Sequence, residues 1–129
     1  MEITHIDHIV LTVQDLKKTV QFYCDILSME KEVFGNKRVA LKYGNQKINL
    51  HQVGNEFEPK AANPTPGSAD LCFVTKTELK DAMKQVRDKG IKVIEGPVTR
   101  EGAKGPIESF YFRDPDGNLI EVSNYDVVT

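Results

Sequence analysis

The sequence predicts an α+β protein built from two βαβββ modules that follow one another along the chain. Three observations support this prediction. The same order of strand-like and helix-like hydrophobic patterns occurs twice, turn signals containing glycine and asparagine separate the short strands, and a proline-rich segment divides the two copies. We expect the modules to form one curved mixed sheet, with both helices on its outer face and a concave face in front.

The first module is predicted at residues 4–53. Residues 6–13 alternate between the two faces of a strand, with Ile9 and Leu11 on the same face. Asp15 has the residue type of a helix N-cap, and apolar side chains recur after it at helical spacing. Three short strands are expected next, at 30–34, 38–43 and 47–53.

The second module, at residues 69–125, repeats this order of elements. A strand is expected at 69–76 and a helix at 77–90, which Gly90 would end as a C-terminal cap. The remaining strands are expected at 91–98, 108–114 and 118–124. Residues 54–68, between the modules, contain three of the six prolines, which is typical of a linker. We therefore treat the whole 129-residue chain as one domain of two modules.

The composition is that of an ordinary soluble globular protein, with 40% hydrophobic and 28% charged residues. A net charge of −2 gives no electrostatic reason to expect nucleic acid or an anionic membrane as a partner. No apolar run approaches the roughly 20 residues of a membrane helix, and the first residues lack the basic start of a signal peptide. Two cysteines do not make a disulfide framework, so we expect a cytoplasmic protein.

Four polar residues fall at corresponding places in the two predicted modules. His8 and Asp70 lie in the first strands, and His51 and Glu121 lie in the last ones. The period of two turns each of these side chains away from its apolar neighbours and toward the predicted concave face. Two imidazoles and two carboxylates are a ligand set for Zn²⁺, Ni²⁺, Mn²⁺, Co²⁺ or Fe²⁺. A divalent cation would also offset the cost of placing Glu121 on an inward-facing strand position.

Other polar residues near these positions have a simpler interpretation. Cys72 lies two residues beyond Asp70 and shares its face, but a cysteine is commonly just a small buried apolar residue. Asp116 is a residue type that forms turns. Tyr125 could close the cavity from the C-terminal side or only pack on it.

Three stretches of the sequence resemble one known family. They are DHIVLTVQDLKKTVQFYCDILSM, GSADLCFVT and YFRDPDGNLIEVSNY, and the D-P-D-G-N-x-I-E pattern after an aromatic strand is fairly specific. Over nearly its whole length the chain is similar to the vicinal oxygen chelate superfamily, which includes glyoxalase I, fosfomycin-resistance enzymes, extradiol dioxygenases and bleomycin-binding proteins. Within that superfamily it most resembles the small glyoxalase-domain proteins that include a virulence-associated subgroup.

The resemblance implies a glyoxalase-like fold and a divalent metal ion bound by His8, His51, Asp70 and Glu121. His51 stands where glyoxalase I usually has a glutamate, and Asp70 stands where it usually has a histidine. Glu121 is the implied catalytic base. It would remove a proton beside a metal-polarised carbonyl group and return the proton to the next carbon.

Two classes of function are predicted. The first is a metal-dependent lyase or isomerase of the glyoxalase I type, which acts on a small substrate that can include a thiol adduct. The second is a metal-free protein that binds a small molecule without catalysis, as the bleomycin-binding members do. Addition of a thiol or water to an epoxide, and dioxygenase chemistry, are further alternatives. We also expect a homodimer, because each module would expose a short sheet edge.

Overall fold

The computed structural model describes residues 1–125 and contains two βαβββ modules. The elements of module one are β1 (His8–Val13), α1 (Leu16–Leu27), β2 (Glu30–Phe34), β3 (Arg38–Tyr43) and β4 (Gln46–Gln52). Those of module two are β5 (Asp70–Val74), α2 (Leu79–Asp88), β6 (Glu95–Gly102), β7 (Gly105–Arg113) and β8 (Leu119–Asn124). The chain divides into two compact units between Gly67 and Ser68. The predicted α+β fold of paired βαβββ modules is confirmed.

The two sheets have the same mixed topology. Their strand orders are β1-β4-β3-β2 and β5-β8-β7-β6. In each sheet the first and last strands are parallel neighbours, and the other pairs are antiparallel. Parallel neighbours need a long crossover connection, which the helix and the two middle strands supply. As a result, β4 and β8 lie inside their sheets, where both flanking strands contribute neighbouring side chains.

Helix α1 packs on one face of the module-one sheet, against β2, β3 and β4. Leu11 of β1 and Ile48 and Leu50 of β4 are buried, as the alternation of the sequence predicted. Tyr23 of α1 is fully buried as well. Burial of each large apolar side chain contributes roughly 1.5–3 kcal/mol. Every second residue of these strands therefore points away from α1.

The start of α1 is fixed by two polar side chains. Asp15 is the N-cap, as predicted, because its Oδ1 accepts the Lys18 backbone N–H at 3.1 Å. Gln52, at the end of β4, accepts the Leu16 N–H at 3.3 Å and donates to the Gln14 carbonyl at 2.6 Å. These bonds join the end of the last strand of module one to the first turn of its helix.

Helix α2 buries Met83 and Val86, and the glycine predicted to stop it follows its C-cap residue, Lys89. Gly90 has a φ of +81°, a conformation that glycine adopts without steric cost. Its N–H donates to the Arg87 carbonyl, and the N–H of Ile91 donates to the Val86 carbonyl, which together form a Schellman motif. Within residues 1–125, no helix has the length and apolarity that crossing a membrane would require.

The bounds predicted for the strand after α2, 91–98, are wrong. Strand β6 begins at Glu95 and ends at Gly102, so its second half is the polar sequence TREG. Pairing with β7 determines these bounds, since Arg100 lies opposite Ile107 and the pairing continues to the end of the hairpin. Hairpin pairing uses backbone groups, and an apolar pattern is not needed for it. The hydrophobic pattern therefore misplaced this strand by four residues at each end.

The D-P-D-G-N sequence forms a hydrogen-bonded turn that leads into β8. Oδ1 of the buried Asp114 accepts the N–H groups of Asp116 and Asn118, both at 2.9 Å. Its Oδ2 accepts the Asn118 side-chain amide at 2.8 Å. The Asn118 Oδ1 in turn accepts the Ala69 N–H at 2.8 Å, just before β5 begins. The motif therefore aligns the starts of β5 and β8, which is a structural role.

Candidate functional site

The residues of module two that point away from α2 form a polar face. Cys72 lies opposite Glu121 in the β5–β8 register, and Tyr111 lies opposite Glu121 on the other side. Ser109 and Ser123 lie opposite each other, each two residues from the Tyr111–Glu121 pair along its own strand. Because successive strand residues alternate between faces, these five side chains share one face of the sheet. Their apolar neighbours on β7 and β8 are buried on the other face.

Serine hydroxyl groups stabilise the Glu121 carboxylate on this face. The Ser109 hydroxyl donates to Glu121 Oε2 at 2.6 Å, and the Ser123 hydroxyl lies 3.5 Å from the same oxygen. The two hydroxyl oxygens are 2.7 Å apart, and Ser109 and Ser123 are both fully buried. Hydrogen bonds from hydroxyl groups offset the cost of placing a carboxylate at a half-buried position. Both serine bonds go to Oε2, while Cys72 and Tyr111 flank the same carboxylate and also interact with it.

Cys72 extends this hydrogen-bonded group to the edge strand. Its sulfur lies 3.2 Å from the Ser123 hydroxyl oxygen. Burial raises the pKa of the Cys72 thiol; the Ser123 hydrogen bond lowers it, and the negative charges of Glu121 and Asp70 raise it further. The thiol is therefore protonated at neutral pH and is a weak nucleophile.

A second polar group of this face lies on the β6–β7 hairpin. The Arg100 Nε donates to the Tyr111 hydroxyl at 3.1 Å, and its Nη2 donates to Glu95 Oε2 at 2.7 Å. Burial raises the pKa of Tyr111, so the phenol stays neutral. Tyr125, for which closing a cavity was one prediction, packs on this hairpin: its hydroxyl accepts the Lys104 N–H at 2.9 Å.

Asp70, a predicted metal ligand, lies at the exposed start of β5. It is opposite Leu119 in the parallel register, and Glu121 is two residues further along β8. The two carboxylates of module two are therefore diagonal neighbours on the same face of the sheet.

His8 lies at the start of β1, with 42% of its side chain exposed. Its Nδ1 is 2.8 Å from Asp7 Oδ2. The hydrogen bond to His8 lowers the pKa of the Asp7 carboxyl group. A carboxylate at one ring nitrogen fixes the orientation of a histidine and leaves the other nitrogen, here Nε2, to coordinate a metal.

His51 is buried inside module one, with 3% of its surface exposed. Its Nε2 has no hydrogen-bond partner among the described residues. Burial lowers the pKa of His51, and the nearby positive charge of Arg38 lowers it further. The ring is therefore neutral at neutral pH, and its Nε2 is free to bind a further group.

The strand registers change the correspondence between His51 and Glu121 that was drawn from the sequence. His8 pairs with Lys47 and Asp70 pairs with Leu119, so the module-one position that matches Glu121 is Asn49. His51 matches Ser123 instead. Along β4, His51 lies four residues beyond the partner of His8, which is roughly 13 Å at the rise of a strand. Module one does not bring His8 and His51 together.

The four predicted ligands are divided between the modules, two in each. Within residues 1–125, no three His, Cys, Asp or Glu side chains form a group close enough to hold a metal ion. Metal binding by His8, His51, Asp70 and Glu121 therefore stays a prediction. His8 and Glu121 are oriented by hydrogen bonds, Asp70 is exposed, and His51 is buried.

A comparison with known protein families identifies the fold. Residues 5–122 match the Glyoxalase/Bleomycin resistance protein/Dioxygenase superfamily. The chain belongs to this superfamily. The resemblance drawn from the sequence is therefore confirmed. The glyoxalase-like fold is confirmed by a lactoylglutathione lyase structure from Agrobacterium tumefaciens, which matches with a TM-score of 0.74 and 25% identity. The match covers 99% of this chain and 98% of the other.

Several members of the superfamily are much more similar to this chain. An integron cassette protein, VCH_CASS1, from the mobile metagenome of V. cholerae is 63% identical, with a TM-score of 0.96 and coverage of 97% and 98% of the two chains. Virulence protein STM3117 of Salmonella typhimurium is 55% identical over 97% of this chain and 87% of its own length. Glyoxalase domain-containing protein RDO1 of Mycosarcoma maydis is 54% identical, over 97% of this chain and 70% of its own.

More distant superfamily members differ in their chemistry. Metallothiol transferase FosB of Staphylococcus epidermidis is 28% identical over 95% of this chain and 82% of its own. Biphenyl-2,3-diol 1,2-dioxygenase 3 of Rhodococcus globerulus is 32% identical over 89% of this chain and 60% of its own. The superfamily therefore includes several reaction types on one fold, and the activity of this chain has to be argued from its own residues.

Sequence reasoning missed several residues of these faces. Ser109 and Ser123 hold Glu121, Arg100 binds Tyr111, and Asn49 occupies the position that matches Glu121. The period of two could have placed both serines beside Glu121, because all three are on one face of adjacent strands. Nothing in the sequence gives the β1–β4 register, so Asn49 could not have been found from the pattern.

Proposed function

We propose that this protein is a metal-dependent enzyme of the glyoxalase type, a lyase or isomerase that acts on a small substrate with two neighbouring oxygen atoms. The observation that supports this most is the arrangement of Glu121. Its carboxylate is half-buried on a sheet face, with Oε2 bound by the Ser109 hydroxyl and with the Cys72 and Tyr111 side chains beside it. A carboxylate held at one oxygen is positioned to exchange a proton at the other.

The proposed metal ligands are His8 and Glu121, with Asp70 and His51 as the other members of the predicted set. The donor atoms suit the ion, because imidazole nitrogen with carboxylate oxygen is a ligand set for Zn²⁺, Ni²⁺, Mn²⁺, Co²⁺ or Fe²⁺. The pairing of His8 with Asp7 is the arrangement expected of a metal-binding histidine. Membership of the superfamily, and not the geometry of either module, is the reason for assigning residues of both modules to one ion.

The strand register of module one indicates that His8 and His51 do not contribute equally to metal binding. His51 lies four residues along β4 from the partner of His8, and its ring is buried against other side chains. We expect removal of His51 to reduce metal affinity less than removal of His8. When bound, the ion would act as a Lewis acid on a substrate carbonyl oxygen.

The chemistry of this chain's own residues follows from the face around Glu121. The Glu121 Oε1 takes the proton from the carbon beside the substrate carbonyl and returns it to the neighbouring carbon. Ser109 keeps the carboxylate oriented through both transfers by its bond to Oε2. Cys72 takes no nucleophilic part, because its thiol is protonated at neutral pH.

The test is an isomerisation assay on metal-reconstituted protein. The first substrate is the hemithioacetal of methylglyoxal and glutathione, with thioester formation as the readout. We expect Glu121→Gln to lower kcat/KM by about 10²–10⁴-fold, the usual contribution of a general base. Glu101→Gln, which removes an exposed carboxylate from β6 of the same sheet, should leave kcat/KM unchanged.

Two results would contradict the proposal. Activity of Glu121→Gln equal to that of the wild type would remove Glu121 from the reaction. The second result is binding of small molecules without turnover of a hemithioacetal, an epoxide–thiol pair or a catechol in protein reconstituted with any of the five metals. That result would indicate a non-catalytic binding protein. The homodimer and the cytoplasmic location stay predictions from the sequence.

A further inference from the structure

A group of aromatic and cationic side chains covers the module-one face that points away from α1. In the β2–β3 register Phe34 lies opposite Arg38. The β3–β4 register begins at the Val39–Leu50 pair, and extending it by one residue places Arg38 opposite His51. These three side chains form one row across the sheet. Phe57, from the segment after β4, lies against the row, with its ring centroid 5.5 Å from that of His51.

The cations of this group are stacked on aromatic rings, and neither forms an ion pair with a carboxylate in the part of the chain that the structure describes. The Arg38 guanidinium carbon is 4.6 Å from the Phe57 ring centroid and 5.3 Å from that of Phe34. The Lys47 Nζ is 3.8 Å from the Phe34 ring centroid. No hydrogen bond or ion pair to Arg38 or Lys47 is found among the described residues. Stacking uses the faces of a guanidinium group, and its N–H donors at the edge remain available.

One carboxylate near this group, that of Glu56, is already engaged. Glu56 accepts the Gly54 N–H at 2.7 Å with one oxygen and bonds Lys60 at 3.2 Å with the other. It therefore does not neutralise Arg38. Asp7 and Glu56 act electrostatically on Lys47 and His51, but within residues 1–125 no carboxylate forms an ion pair with Arg38.

A second, independent observation indicates a missing polar group at the same place. His51 is 97% buried on the row beside Arg38, since only 3% of its surface is exposed, and its Nε2 has no partner within the described part of the chain. Two residues earlier on β4, the buried Asn49 also has an unpartnered Oδ1. Buried polar atoms without partners are exceptional in native proteins, and a bound group commonly satisfies them.

We propose that this face is a binding site for a small organic oxyanion, such as a carboxylate attached to a flat apolar group. The oxyanion accepts hydrogen bonds from the edge of the Arg38 guanidinium and from His51 Nε2–H. The apolar part lies against Phe34 and Phe57. A planar guanidinium fork matches the geometry of a carboxylate, and the histidine Nε2–H can donate to the same anion. The site needs no metal. Because a protonated Nε2 cannot coordinate an ion, this proposal removes His51 from the predicted ligand set and leaves His8, Asp70 and Glu121 for the metal.

The experiment measures binding of benzoate by calorimetry to full-length protein that has been treated with a chelator. Removing the metal keeps the result separate from the proposed enzyme activity, because a failed activity assay would not affect it. We expect benzoate to bind at least about 10-fold more tightly than benzyl alcohol, since a hydrogen bond to a charged group is worth about this factor or more. Phenylphosphonate and inorganic phosphate are tested in the same way. Phenylphosphonate should bind, and inorganic phosphate, which lacks an apolar part, should bind at least about 10-fold more weakly than phenylphosphonate.

The variants assign the site to its residues. Arg38→Gln should weaken benzoate binding by about 10-fold or more, and Arg38→Lys should weaken it too, because lysine lacks the fork. Lys42→Gln is the matched control, since it removes a positive charge from the same strand outside the row, and should retain wild-type affinity. Nuclear magnetic resonance of His51 should show a hydrogen-bonded proton on Nε2 in the complex.

Two outcomes would overturn the proposal. One is unchanged benzoate affinity in both folded Arg38 variants. The other is equal loss in Lys42→Gln and Arg38→Gln, which would indicate general electrostatic attraction in place of a site. Arg38→Lys, which keeps the charge and most of the stacking surface, remains informative if Arg38→Gln does not fold.

Discussion

The hydrogen bond between Ser109 and Glu121 should be worth a measurable amount of stability. Replacing Ser109 with alanine removes a fully buried hydroxyl that donates to Glu121 Oε2 at 2.6 Å. A hydrogen bond to a charged group contributes about 1.5–3 kcal/mol. Ser123, at 3.5 Å from the same oxygen, can partly replace the lost donor. We therefore expect a loss near the lower end of that range, about 1.5 kcal/mol, in the free energy of unfolding.

A double-mutant cycle isolates this interaction. The free energy of unfolding in urea is measured for the wild type, Ser109→Ala, Glu121→Gln and the double variant. We expect a coupling energy of about 1 kcal/mol, because groups in direct contact couple by about 0.5–3 kcal/mol. Ser109→Ala should also lower kcat more than it raises KM, since it disturbs the orientation of the base and leaves substrate contacts in place. A coupling energy below about 0.3 kcal/mol, the additivity limit for independent sites, would refute the reasoning.

Three further predictions test the fold and the buried histidine. Asn118→Ala should lower the free energy of unfolding, measured in urea, by about 2–3 kcal/mol, because it leaves buried hydrogen-bonding groups unsatisfied. A loss within about 0.5 kcal/mol, which is typical of surface sites, would contradict the structural role of the D-P-D-G-N turn. Because burial lowers the pKa of His51, the folded state binds protons less readily than the unfolded state. The wild type should therefore lose stability relative to His51→Gln as the pH falls below about 6.5. A stability difference that does not change with pH would contradict this. Gly96→Ala should destabilise the protein far more than Gly44→Ala in thermal unfolding. An added Cβ at Gly96 would lie 2.5 Å from the Phe110 Cβ, whereas at Gly44 it would meet nothing within 4 Å. Equal losses of stability would show that only the positive φ of the two glycines matters.

Much of the fold followed from periodicity and turn chemistry. Strands 30–34 and 38–43 have their predicted bounds, because glycine turns mark both ends of a short hairpin. The Asp15 cap and the Gly90 cap were found from residue type alone. In contrast, β6 was misplaced because hydrogen bonding to β7, which leaves no pattern in a polar sequence, sets its bounds.

The candidate site was less accessible to sequence reasoning. The faces of His8, His51, Asp70 and Glu121 followed from the period of two, but their distances depend on register. Register arises from pairing between strands that are far apart in the sequence, such as β1 with β4, and one strand's pattern cannot give it. The period of two places Ser123 on the same face as Glu121, but the position of Ser109 beside them depends on the register of β7 and β8.

The central claim, that this chain binds a divalent metal through His8 and Glu121, is tested most directly by elemental analysis. Wild-type protein reconstituted with each candidate metal and dialysed should retain about one ion per pair of modules. The His8→Ala, Glu121→Ala double variant should retain less than about a tenth of that amount, because loss of metal ligands costs at least 10–100-fold in affinity. The Glu101→Gln variant should match the wild type. Stoichiometric metal in the double variant would contradict the account.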